Sequence, residues 1–112
     1  MLEYLFQNKN VEKVLIYLLL HEQAYASELS RAFGTALDPI QKTLLKLERG
    51  GLLVSFLRGK TRMFEWNPRY PFLKEIQALA QKAYEYLPEE IRDSQYQPMK
   101  RKRPRRSFKP LP

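Results

Sequence analysis

The sequence predicts a single α+β domain, mainly helical, and three observations predict it. Leu37, Ile40, Leu44 and Leu47 recur at the three- and four-residue spacing of one helical face, with Gln41, Lys42, Lys46 and Arg49 on the opposite side. Val11, Val14, Leu15, Leu18 and Leu19 write a second such stripe. Residues 52–57 and 61–66 are β-branched and aromatic runs on either side of Arg58-Gly59-Lys60, the pattern of a hairpin with a basic tip.

Length and composition narrow the function before any motif does. The chain has 112 residues, room for one hydrophobic core. It has no cysteine, which excludes disulfides and thiolate metal ligands. His21 is the one histidine, placed at the end of the first long helix, where the dipole favours a cation; metal binding by a lone histidine is not expected. No paired carboxylates in an apolar context, phosphate-binding glycine loop or nucleophile beside a base is present, so neither an enzyme nor a cofactor is expected. The longest apolar run, 14–20, is too short to span a bilayer and lacks the flanks of a signal peptide, and the lack of cysteine is compatible with a reducing cytoplasm, the expected location.

The net charge of +8 is unevenly spread. Residues 1–30 carry two Lys/Arg against four Asp/Glu, residues 31–74 nine against three, residues 75–99 two against five, and residues 100–112 seven against none. The middle of the chain is therefore basic inside an otherwise acidic domain, the footprint of a nucleic-acid binder.

Taken in order, residues 2–6 form a short apolar piece, and Asn8 or Asn10 caps the scaffold helix that starts near Val11. Tyr25-Ala26 adds a short strand edge to the hairpin sheet. Residues 26–34 read as a short helix with Leu29 and Phe33 inward and Gly34 turning into the next helix, which makes a helix-turn-helix. The second helix, 35–49, starts either at a Thr35/Asp38 capping box or at Asp38 as cap with Pro39 in the first turn, and it stops at Gly50-Gly51. After the hairpin, a last helix over about 70–87 carries Phe72, Ile76, Leu79 and Ala83 on one side. With the core already filled, that surplus apolar side implies a partner. Residues 88–112, proline-punctuated and ending in dense positive charge, read as a flexible tail. Ending the chain after Asp93 is then expected to cost no stability. A basic tail of this kind serves as a non-specific DNA or RNA arm, a localisation signal or a solubility segment; the arm fits best.

Three phrases, 27–34, 44–53 and the hairpin end Glu65-Trp66-Asn67-Pro68, resemble the winged helix-turn-helix transcriptional regulators of ArsR-like or MarR-like type, over roughly residues 5–87. The resemblance implies a three-helix core, a two-stranded β wing and a C-terminal helix, acting as a homodimeric repressor on double-stranded DNA. It places helix 35–49 in the major groove, with Gln41, Lys42, Thr43, Lys46 and Arg49 as candidate contacts, and the wing on the flanking backbone or minor groove through Arg58, Lys60 and Arg62. Ser27 and Arg31 of the preceding helix become phosphate contacts, and Phe72, Ile76, Leu79 and Ala83 the dimer interface. Metal-sensing relatives use Cys/His clusters, which this chain lacks. Asp38-Pro39 departs from the Ser or Thr that relatives often carry there. The segment 67–76 also resembles winged-helix proteins found with minimal nucleotidyltransferases. The rival function is accordingly a protein-interaction or adaptor module, partnering a nucleotidyltransferase or a toxin-like protein.

Overall fold

Helix α2 (Lys9–His21) is the scaffold against which α1, α3, α4 and α5 pack, and its sequence explains why. Asn8, with extended backbone, caps it by accepting the amide of Asn10 at 2.8 Å. Val14, Ile16 and Leu18 are wholly buried, and Glu22, at φ +72, ends the helix by returning its amide to the Leu18 carbonyl at 2.8 Å. In the first turn the buried Glu12 accepts the Leu2 amide at 2.6 Å, which pins the short helix α1 (Glu3–Phe6) to the scaffold. These elements belong to a computed structural model that describes residues 2–96; the basic run 100–112 lies outside the described residues.

From α2 the chain enters β1 (Gln23–Ala24), then α3 (Ala26–Phe33), α4 (Leu37–Arg49), β2 (Leu53–Arg58), β3 (Thr61–Trp66) and α5 (Leu73–Glu85). The strands form one antiparallel sheet in the order β1-β3-β2, with Gln23 opposite Glu65 and Leu53 opposite Trp66. The short strand edge that joins the wing hairpin lies at 23–24 in place of 25–26. Tyr25 cannot extend the ladder, because its amide is taken by the Glu28 carboxylate at 3.3 Å as α3 begins.

The helix-turn-helix forms as expected, by different local chemistry. Gly34 adopts φ +64, and the turn is closed reciprocally between Ser30 and Thr35: the Ser30 hydroxyl donates to the Thr35 carbonyl at 2.6 Å and the Thr35 amide to the Ser30 carbonyl at 3.1 Å. Both expected caps of the next helix are corrected. Its N-cap is Ala36, with no side-chain bond, because Thr35 is engaged in the turn and Asp38 already sits inside the first helical turn. Leu37 is also not inward: it stays 40% exposed, while Ile40, Thr43 and Leu44 are buried. At the other end, Gly51 at φ +88 donates to the Glu48 carbonyl and Leu52 to the Leu47 carbonyl, a Schellman closure that aims the chain into the wing.

Helix α5 returns along α2 with Ala80 and Ala83 buried against the core and Ile76 partly buried on it. Ala83 is 4% exposed, so it is a core residue and not available to a partner; small side chains there let the two helices approach. Nor does order stop at residue 87. A short helix, α6 (Glu89–Ile91), and a π-helical turn (Arg92–Tyr96) follow, and Tyr96 is only 2% exposed. Its ring meets Phe33 and Tyr84 edge-on at 5.7 and 6.1 Å. The Tyr96 carbonyl accepts from His21 Nε2 at 2.7 Å, and the His21 ring stacks on Tyr17 at 4.2 Å. The lone histidine thus ties the two ends of the fold together. Among the described residues no helix is long and apolar enough to cross a membrane.

Two buried phenols set an alkaline limit on stability. Burial raises the Tyr17 pKa, helped by the hydrogen bond its hydroxyl donates to Glu28 at 2.6 Å, and burial raises that of Tyr96, helped by the charge of Glu12. With folded pKa values above the unfolded value of 10.0, the contribution of these groups is complete below that pH and is lost as pH climbs towards the folded values. Urea unfolding followed from pH 8 upward should show stability falling once pH passes the ordinary tyrosine range, and less steeply in Tyr17→Phe; a flat profile in both would refute the account.

Candidate nucleic-acid interface

The outward side of α4 carries Gln41, Lys42, Leu45, Lys46 and Arg49, all exposed. Helical phase puts them there, since Ile40, Thr43 and Leu44 hold the opposite side in the core. Thr43 is therefore removed from the candidate contacts: at 3% exposure it faces the interior. Its position three residues after Ile40 carried that signal, but a hydroxyl reads as surface in a sequence.

Across from this face stands the wing tip, where β2 and β3 are joined by Gly59-Lys60 and Arg58 pairs with Thr61. Gly59 takes φ +64, the positive value that a two-residue hairpin loop needs to match the twist of its strands. Between α4, the start of α3 and the wing runs an open groove of about 540 Å³. It brings together Ser27, Gln41, Lys60 and Arg62 of the expected contacts. Tyr25, Leu45, Thr61 and Phe64 also line it and were not anticipated. Of these, Leu45 was detectable, being the one apolar residue out of phase on the polar side of the helix.

The cations of the site divide by what holds them. The Arg62 guanidinium donates to Glu48 at 3.2 Å and to the Ser55 hydroxyl at 3.0 Å, and Ser55 donates to the other oxygen of Glu48 at 2.6 Å. Helix α4 and both wing strands are thereby tied through one carboxylate. Arg58 donates to the Gln23 amide oxygen at 2.9 Å, and the Gln23 nitrogen donates to Glu65 at 3.0 Å, which fastens the wing to β1. Arg31 donates to the Tyr25 hydroxyl at 3.0 Å and lies over that ring. Lys42 pairs with Asp38 at 3.1 Å, a one-turn ion pair with both side chains in water, so it is weakly held. Lys46, Arg49 and Lys60 are exposed and make no ion pair or hydrogen bond among the described residues. Asp38, the departure at the start of α4, is thus neutralised by Lys42 and is not the helix cap.

A mainly helical domain with a helix-turn-helix followed by an antiparallel wing is a winged helix-turn-helix, and that is the fold of this chain. The adhesin competence repressor (AdcR) of Streptococcus pyogenes has the same fold: the two superpose with a TM-score of 0.57 at 16% sequence identity, over 75% of this chain. The match spans 63% of the length of that repressor. The sequence matches no protein-family model and no curated protein.

Proposed function

We propose that this chain binds double-stranded DNA as a dimer and represses transcription, with α4 in the major groove and the wing on the adjoining backbone. The observation that carries the reading is the groove between α4 and the wing, where Gln41 and Lys60 face the same space within the basic stretch of the chain. A polar reading side next to cations is what base readout with phosphate anchoring requires. The superposition on a repressor supports it at the level of fold. Because Arg58 and Arg62 are held within the wing, they act first as struts, and Lys60 becomes the wing residue that meets phosphate.

Two kinds of substitution should separate. Gln41→Ala or Lys42→Ala should cost about 1–3 kcal/mol against a site selected from a random duplex pool and relax preference there. Lys60→Ala should weaken all duplexes alike and flatten the salt dependence by roughly one unit per protomer. Equal loss of preference from both kinds, measured by fluorescence anisotropy at two salt concentrations, would remove the assignment.

One observation favours the adaptor reading: Leu57, on the wing, is 70% exposed, an apolar surface that suits a protein partner. Absence of any duplex binding at low salt would turn the choice to that reading.

A further inference from the structure

Leu45 stands in the middle of the outward face of α4, one turn after Gln41 and flanked by Lys42, Lys46 and Arg49. It is 43% exposed, although the helix has an apolar side on which a leucine can be buried. It also lines the groove facing the wing, together with Phe64, Gln41 and Lys60. An apolar side chain set among an amide and cations gains little from water and nothing from the core.

The structure assigns Leu45 a reading role: we propose that it packs against the C5-methyl group of a thymine in the major groove, beside an adenine read by Gln41. This rests on the DNA-binding reading above and adds a base preference to it. The chemistry fits at both residues. A glutamine amide matches the N6 donor and N7 acceptor of adenine, and the one apolar group that the major-groove edges display is the thymine methyl. Positions four apart on a helix lie on the same side, about 6 Å apart along the axis. That spacing places the two contacts within about two base pairs of each other. The charges around Leu45 supply the complementarity, since Lys46 and Arg49 hold the sugar-phosphate backbone while the leucine meets the methyl.

The test uses the full chain and a duplex selected from a random pool, with each thymine replaced in turn by uracil, which removes the methyl group and leaves every hydrogen-bonding edge intact. Burying one methyl is worth about a four-fold change in affinity. The wild-type protein should therefore show one position in each half-site where uracil weakens binding about four-fold, and Leu45→Ala should bind thymine and uracil duplexes equally there. The variant is expected to fold normally because Leu45 is largely outside the core, and a thermal melt checks this. If uracil has the same effect on wild type and Leu45→Ala at every position, the role of Leu45 is wrong while DNA binding stands. If no duplex is bound, thymine included, the DNA-binding reading falls and this inference with it.

Discussion

Ending the chain at Asp93 should lower the thermal midpoint by well over ~10 °C, while ending it at Gln97 should leave the midpoint nearly unchanged. The sequence alone implies no loss at either place, because residues 88–112 show no apolar period. The structure reverses that for the first nine of them. Tyr96 is 2% exposed, its ring fills the space between Phe33 and Tyr84, and its carbonyl is the acceptor for His21. Deleting a large buried aromatic typically costs about 3–5 kcal/mol. Loss of the carbonyl also strands a half-buried imidazole N–H, which adds a penalty of its own. In a domain of this size each kcal/mol moves the midpoint by about 4–8 °C. Tyr96→Ala in the full chain should reproduce most of the loss. The chain ending at Gln97 removes the basic run: the midpoint is expected to stay, and affinity for any duplex should drop by ~10- to 100-fold at low salt and less at high salt, since seven cations displace counterions without reading sequence. Unchanged melting of the Asp93 chain would show that the aromatic cluster is ornamental. Unchanged binding of the Gln97 chain would show that the tail is no arm.

Leu79→Glu should convert the protein from a dimer into a folded monomer and lower affinity for a two-half-site operator by about 100-fold or more, because the second contact is no longer tethered to the first. The surface of α5 open to a second copy differs from the one the apolar stripe suggests. Ala83 belongs to the core and Ile76 leans on it, whereas Phe72 and Tyr86 are 60% and 68% exposed. Leu79 lies in α5, seven residues from both its N-cap Phe72 and its C-cap Tyr86. Tyr4 and Leu5 of α1 are 92% and 67% exposed, and α1 and α5 flank a common groove of about 260 Å³ through Phe6 and Ile76. A two-fold pairing over this surface would bury all five side chains and set half-sites one helical turn, ~34 Å, apart. Sedimentation equilibrium decides it: a wild-type monomer at tens of micromolar would make the stripe a surface without a partner copy.

Much of the fold was legible because it is written in periods. The stripes of α2 and α4 and the glycines at 34, 51 and 59 each impose a local geometry that chain chemistry alone dictates. What escaped had no period to announce it. A two-residue strand such as β1 is too short for alternation to show. Ala36 serves as N-cap through its backbone conformation, which no side chain signals. Tyr96 is a single aromatic whose partners lie far back in the chain, so its burial is a tertiary fact. The candidate site was legible as a set of exposed polar residues on α4 and the wing, and illegible in its division of labour. Which arginines are struts and which lysines are open depends on Glu48, Ser55 and Gln23, residues that carry no motif.

The carboxylate of Glu48 has a consequence for the speed and heat of association. By holding Ser55 and Arg62 at once, it fixes the wing relative to α4 before any ligand arrives. Binding then does not have to immobilise these side chains, a saving of about 0.5–1.5 kcal/mol for each. On the proposed DNA-binding reading, encounter would be limited by orientation and charge steering, with the wing already fixed. In the Glu48→Ala protein the same contacts would remain possible, but they would be reached more slowly and with a larger unfavourable entropy.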